Sequence, residues 1–184
     1  MAHAGDVLEN PSTGERIVFR KTAADTNGEL LQFDFIVAPK GFTPNRHVHA
    51  QVEEQVELVS GALSYYVGGK EDTLRPGERV VLPVGLPHTF WNESDEMAHF
   101  IVDVRPALNM ETLFETIFGL YRDGKTNERG FPSLLQNLVL AQEYDGYLPG
   151  LPIALQRAFL AAGAPVARLF GYRARYPQYS GPVA

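Results

Sequence analysis

Four residues with metal-binding side chains lie in two short stretches of the sequence. His47 and His49 are separated by one residue, so both imidazoles lie on the same face of an extended strand. Glu54 follows five residues after His49, and His88 directly follows the proline- and glycine-bearing segment 83–87. Imidazole nitrogens and carboxylate oxygens bind divalent transition metals. The chain has no cysteine, so any bound metal must be held through nitrogen and oxygen.

The first 106 residues have the pattern of short strands joined by turns. Apolar side chains recur at every second position over 31–37 and 100–104, as on strands with one buried face. Two further runs, 62–67 and 79–82, are rich in strand-forming residues and are bounded by glycine and proline. Many short strands with such turns predict a β-sandwich or a β-barrel.

After Pro106 the apolar residues change to a helical spacing. Asn109 is a candidate N-cap for a first helix, and Ser133 with Gln136 has the spacing of a capping box before a second. Further helices are predicted over 152–162 and 165–172. We therefore predict a β-domain over 1–106 and a helical extension over 107–184. We expect the extension to pack on the β-domain or to form a dimer contact.

The four candidate ligands belong to two longer motifs. The fixed positions of the first are Gly41, His47, His49, Glu54 and Gly61. The fixed positions of the second are Gly77, Pro83, Gly85, His88 and Asn92. In their residue types and spacings these stretches closely resemble the two motifs of the cupin superfamily, with every fixed position present.

The resemblance implies a mainly β fold, a double-sheet jelly-roll barrel, followed in this chain by C-terminal α-helices. It also implies one divalent metal ion inside the barrel, held by His47, His49, Glu54 and His88. Three neutral imidazoles and a carboxylate suit Fe, Mn, Ni, Cu or Zn. In an octahedral ion, four protein ligands leave two positions for water, substrate or dioxygen, which is typical of a catalytic or ligand-binding site.

The neighbouring Glu53 is an alternative ligand, because the cupin spacing between histidine and glutamate varies by one residue. The six-residue gap to Gly61 counts from Glu54. Strand alternation also groups Glu54 with the apolar Val56 and Leu58, so Glu54 is the interpretation we prefer. For an isolated His-X-His pair, two surface histidines on an alternating strand would be the commoner outcome.

Several aromatic residues and one further histidine have two interpretations each. Phe33, Phe35 and Phe90 either line a substrate pocket above the metal or belong to the apolar core. His99 alternates with the apolar residues of its strand, which favours a structural role over a catalytic one.

Composition limits the partners of the protein. The net charge is −6 and no basic run occurs, so we expect no nucleic-acid partner. No apolar segment is long enough to span a membrane without interruption, and the first residues lack the pattern of a secretory signal. We therefore expect a cytoplasmic protein that binds a small molecule. The apolar helices favour a homodimer.

Two classes of function fit the predicted site, with a third variant. The first is a metal-dependent, dioxygenase-like oxidoreductase that acts on a small organic molecule, with Glu54 as the catalytic base. The second is a binding or sensing protein that captures a small molecule unchanged. The third is an isomerase or hydrolase that uses the metal as a Lewis acid.

Overall fold

The computed structural model describes residues 2–11, 13–41, 45–127 and 130–180. These residues contain nine strands: β1 (Val7–Glu9), β2 (Arg16–Lys21), β3 (Leu31–Val37), β4 (Glu53–Ser60), β5 (Leu63–Val67), β6 (Lys70–Leu74), β7 (Arg79–Leu82), β8 (His88–Trp91) and β9 (Ala98–Arg105). They form a six-stranded sheet in the order β1-β2-β3-β9-β4-β7 and a three-stranded sheet in the order β6-β5-β8. All pairings are antiparallel. The predicted mainly β fold is confirmed.

The alternating apolar pattern of the sequence determines which strand residues form the core of the β-domain. Every second residue of β3 is buried, from Leu31 to Val37, and the same alternation runs along β9 and the first part of β4. Because alternate side chains point to opposite faces of a sheet, these strands turn one apolar face inward. The resulting core includes Phe33, Phe35, Phe90 and Phe100.

Helices follow the last strand, as the change in periodicity predicts. They are α1 (Met110–Arg122), α2 (Leu134–Glu143), α3 (Ile153–Leu169) and the single turn α4 (Pro177–Ser180). Asn109 does occupy the N-cap position of α1, but its side chain makes no capping hydrogen bond. The Ser133 side chain accepts from the Gln136 amide at 3.3 Å, whereas the Gln136 side chain donates to the carbonyl of Arg173. Only half of the predicted capping box forms.

The prediction of separate helices over 152–162 and 165–172 is wrong, because α3 continues through Pro165. Proline removes one helical hydrogen bond, to the carbonyl of Ala161. Both residues are exposed, so water can solvate that carbonyl. The break that proline imposes on a buried helix is therefore not required here.

The first helix packs directly on the β-domain. The ring of Phe114 meets that of Phe33 edge to face at 5.0 Å, and Met110 and Phe118 are buried in the same core. A second, smaller cluster lies between α2 and α3 and includes Val139, Leu140 and Ala164. None of the helices in the described ranges is both long and apolar enough to cross a membrane.

Candidate metal centre

The two predicted motifs bring their histidines onto paired backbone segments. His47 and His88 exchange two backbone hydrogen bonds, of 3.0 and 2.9 Å. His47 and Val48 form isolated bridges rather than a continuous strand, and His88 is the first residue of β8. Glu54 lies on β4, opposite Leu82 on one side and Val104 on the other. The site is therefore fixed by backbone pairing on both sheets.

The side chains of these four residues converge on one point. The Nε2 atoms of His47 and His49 lie 3.2 Å apart. The two carboxylate oxygens of Glu54 lie 3.6 Å from Nε2 of His49 and 3.7 Å from Nε2 of His88. One ring nitrogen from each histidine lies within 4.8 Å of the others, as in a group that can hold a metal ion.

The opposite ring nitrogen of each histidine contacts a backbone carbonyl. Nδ1 of His47 lies 2.9 Å from the carbonyl oxygen of Asn45, and Nδ1 of His88 lies 2.9 Å from that of Leu86. Nδ1 of His49 contacts the carbonyl oxygen of Asp145. A carbonyl oxygen can only accept, so each Nδ1 carries a proton, and each ring in its neutral form presents an Nε2 lone pair. This is the arrangement that orients histidine ligands in metal sites.

Burial leaves one of these nitrogens without a protein partner. His49, Glu54 and His88 are 3%, 6% and 0% exposed, respectively. Nε2 of His88 is fully buried and makes no hydrogen bond within the described residues. Buried polar atoms are nearly always satisfied, so this nitrogen lacks a bond that a metal ion would supply. The donor set and the unsatisfied nitrogen both fit a borderline divalent metal.

The pKa values reflect the crowding of these groups. Burial lowers the pKa of His47 to about 4, and the charges of His49 and His88 act in the same direction. Burial also lowers the pKa of His88. For His49, burial opposes protonation, but the hydrogen bond and charge of Glu54 outweigh it, and the pKa is raised.

Glu54 shows the complementary effect. Burial would raise the pKa of its carboxyl group, but the hydrogen bond and charge of His49, with the charges of His88 and His47, lower it to about 2. The carboxylate is therefore ionised at neutral pH, the form in which it can bind a metal.

The structure separates Glu54 from the alternative ligand Glu53. Glu53 is exposed, whereas Glu54, Val56 and Leu58 are buried on the inner face of β4. Of these two glutamates, only Glu54 lies close to the histidines, as strand alternation predicts.

The other predicted residues lie in two different environments. Phe90 contacts Phe35 edge to face at 6.3 Å, and both rings pack on Phe100. Phe33 lies beneath α1, in contact with Phe114. Nε2 of His99 lies 2.7 Å from a carboxylate oxygen of Asp34 on the adjacent strand, a hydrogen bond that satisfies this ring nitrogen.

Two residues next to the site were missed by sequence reasoning. Asp145 contacts His49 through its backbone, and Tyr147 pairs with Val48. Both lie in the loop between α2 and α3, and Asp145 is 96 residues from the histidine that it contacts. A contact made by a backbone carbonyl leaves no signature in residue type, so neither motif spacing nor periodicity could have identified it.

Comparisons with known proteins agree with this architecture. Residues 33–104 match the Cupin_2 family model, described as a cupin domain. Residues 33–104 therefore form a cupin domain. No curated protein matches the chain.

Solved structures resemble part of the chain. A sugar phosphate isomerase of the cupin superfamily from Silicibacter pomeroyi is 22% identical over 54% of this chain and 70% of its own, with a TM-score of 0.46. The Cupin_2 domain of an XRE family transcriptional regulator from Enterobacter cloacae is 27% identical over 48% and 95%, with a TM-score of 0.42. A predicted oxalate decarboxylase from Thermotoga maritima is 14% identical over 50% and 80%, with a TM-score of 0.48.

Proposed function

We propose that this protein binds one divalent transition-metal ion through His47, His49, Glu54 and His88. The observation that carries the proposal is the orientation of the three imidazoles, whose Nδ1 atoms contact carbonyls and whose Nε2 atoms face one another and Glu54. Fe, Mn, Ni, Cu and Zn all suit these donors. Because the centre has four protein ligands, positions remain for a small molecule.

We further propose that the site serves a dioxygenase-like oxidation of a small organic molecule. A redox-capable ion with open positions supplies the electron transfer and substrate activation for such chemistry. Phe33, Phe35 and Phe90 remain our candidates for an apolar pocket wall; all three are buried in the core of the β-domain. Apolar walls exclude water and orient a substrate of matching shape.

The role of Glu54 is first that of a ligand. A carboxylate with a pKa of about 2 is a weak proton acceptor near neutral pH. General-base action would require the carboxylate to lose its interactions with the histidines, so that its pKa rises toward 4.5. We therefore assign Glu54 to metal binding, with proton transfer as a secondary role.

Metal binding is tested by elemental analysis of protein purified without chelators, followed by titration of the metal-free protein with each candidate ion. We expect one ion per chain. His88→Ala should abolish stoichiometric binding, whereas His99→Ala, which removes a histidine paired with Asp34, should not. Equal binding by wild type and His88→Ala would contradict the ligand assignment.

The oxidation is tested separately, by oxygen uptake with Fe(II)-, Mn(II)- or Ni(II)-loaded protein across a panel of phenols and diketones. Uptake above the level of the His88→Ala variant supports the proposal. Background uptake throughout, with a small molecule recovered unchanged from the purified protein, would favour a binding protein. Equal turnover with Zn(II) and Fe(II) would favour Lewis-acid chemistry.

We also propose a homodimer formed through the outer face of α3. Leu155, Phe159, Ala162, Val166 and Leu169 are all exposed and follow one another at alternating spacings of four and three residues. This spacing is typical of a helix-pairing seam. The helix carries no acidic residue, and a symmetric pair of such helices would cover the seam on both protomers.

A further inference from the structure

The loop between α2 and α3 lies against the segment that contains two of the proposed metal ligands. Val48, between His47 and His49, exchanges two backbone hydrogen bonds of 2.9 Å with Tyr147. His47 pairs in turn with His88 on the other side. The ligand segment is therefore supported by the β-domain and by the helical extension.

Asp145 makes the closest connection between this loop and the ligands. Its carbonyl oxygen accepts from Nδ1 of His49. Its carboxylate accepts from the backbone amides of Gln51 and Val52, at 2.7 and 3.2 Å. The residue is 5% exposed. The Asp145 side chain thus holds the segment that leads from His49 to Glu54, while the Asp145 carbonyl orients the ring of His49.

His49 differs in this respect from the other two histidines. Nδ1 of His47 and Nδ1 of His88 each contact the carbonyl two residues earlier in their own segment. The partner of His49 lies 96 residues further along the chain. The orientation of His47 and His88 is therefore local, whereas that of His49 depends on where the extension is docked.

The loop is itself anchored within the extension. The hydroxyl of Tyr144 donates to the carbonyl of Ala174 at 3.0 Å, and Nε of Arg157 on α3 donates to the hydroxyl of Tyr147 at 2.9 Å. Next to it lies a cavity of about 360 Å³, lined in part by Asp145 and Leu160. Water from this cavity can enter if the Asp145 side chain is shortened.

We propose that residues 144–147 are a positioning element of the metal centre and that Asp145 holds His49 in its ligating orientation. The proposal rests on the metal binding proposed above. Outer hydrogen-bond partners of metal ligands fix ring orientation, and their loss weakens metal binding. By linkage, metal binding must also strengthen the docking of this loop on the β-domain.

The first test compares metal affinity among three variants by competition with a chelator. Asp145→Ala keeps the carbonyl that His49 contacts but removes the carboxylate that holds this residue against Gln51 and Val52, so binding should weaken by about 10-fold, the lower end of the range for outer partners of metal ligands. Asp145→Asn keeps an acceptor for the two amides and should lie nearer to wild type. Asp123→Ala is the matched control, because that carboxylate bonds Lys125 and Tyr179 of the same extension. Equal losses in Asp123→Ala and Asp145→Ala would overturn the proposal.

The second test detects the positioning directly, through the Nδ1–H resonances of the histidines in ¹⁵N-labelled protein, with and without Zn(II). In Asp145→Ala, the Nδ1–H of His49 should exchange faster with water, while that of the fully buried His88 should stay protected. A general loosening of the fold would affect both together, and that result would overturn the proposal.

The two proposals can fail separately. Wild-type protein that binds no metal refutes the metal site, and the Nδ1–H spectrum of the metal-free protein still reports on Asp145. Wild-type protein that binds metal, with unchanged affinity and unchanged His49 exchange in Asp145→Ala, refutes the positioning role alone.

Discussion

Glu54→Gln tests the ligand assignment most directly, because glutamine keeps the size of the side chain and removes its charge. The carboxylate oxygens lie 3.6 and 3.7 Å from Nε2 of His49 and of His88. Glu53→Gln makes the same chemical change one residue earlier, on the exposed face of β4. The pair therefore separates the effect of the buried charge from any general effect of losing a glutamate in this strand.

The expected loss of stability follows from the pKa of Glu54, which its surroundings lower from 4.5 to about 2. At ~1.4 kcal/mol per pKa unit, the ionised form gains about 3 kcal/mol in the folded protein. A lowered pKa gives stability that is fully present above 4.5 and is lost as pH falls toward 2. Glutamine mimics the protonated acid, so metal-free Glu54→Gln should be less stable by about 3 kcal/mol at pH 5.5 and by about 2 kcal/mol at pH 3.5.

Urea unfolding of metal-free protein measures this difference, with wild type, Glu54→Gln and Glu53→Gln compared at both pH values. Glu53→Gln should stay within about 0.5 kcal/mol of wild type, as exposed substitutions do. In chelator competition at pH 7.5, Glu54→Gln should also bind metal at least about 10-fold more weakly, since a direct ligand matters no less than an outer partner. The reasoning would be refuted if Glu54→Gln had the unfolding free energy and metal affinity of wild type while Glu53→Gln lost both. That result would make Glu53 the ligand.

Three further outcomes are expected. Because the pKa of His49 is raised above 6.5, metal binding should release about one proton per ion near pH 6. Calorimetry in buffers of different ionisation enthalpy measures the number of protons released, and a release of three would contradict the prediction. Phe159→Glu should convert the proposed dimer to a monomer in sedimentation velocity, whereas Ala154→Glu on another face of α3 should not; a monomeric wild type would end the dimer proposal. Gly61→Ala should destabilise more than Gly77→Ala. Both glycines have positive φ, which costs about 1–2 kcal/mol for alanine. Only at Gly61 would the new Cβ also lie 2.3 Å from a backbone oxygen, so equal free energies of unfolding for the two variants would contradict this prediction.

The β-domain and its four candidate ligands could be predicted because their placement depends on local rules. Strand alternation puts Glu54 on the buried face with Val56, and it puts Phe33 and Phe35 inward on β3. The turn before β8 delivers His88 at the start of a strand. Each of these features is determined by residues within a few positions, so the spacing in the sequence carries the information.

The helical extension was predicted less well because its structure depends on exposure and on distant contacts. The sequence indicates a break at Pro165, but the helix continues through this proline at a position where both Ala161 and Pro165 are exposed. Asn109 occupies the N-cap position without capping, while Glu111 in the first turn of α1 accepts from the amide of Ala23 instead. The polar side chain in the first turn of α1 thus makes a tertiary hydrogen bond, and the local capping bond that the sequence rules anticipate does not form.

These two kinds of information meet at His49. Its residue type and its position beside His47 are local and could be predicted, whereas its orientation depends on a backbone carbonyl of Asp145 in the extension. A β-domain alone would keep both motifs complete but would leave Nδ1 of His49 and the amides of Gln51 and Val52 without these partners. The motifs therefore specify which atoms can bind a metal, and the docked extension fixes the direction in which one of them points. For this reason we regard the helical extension as part of the proposed metal centre, although it contributes none of the proposed ligands.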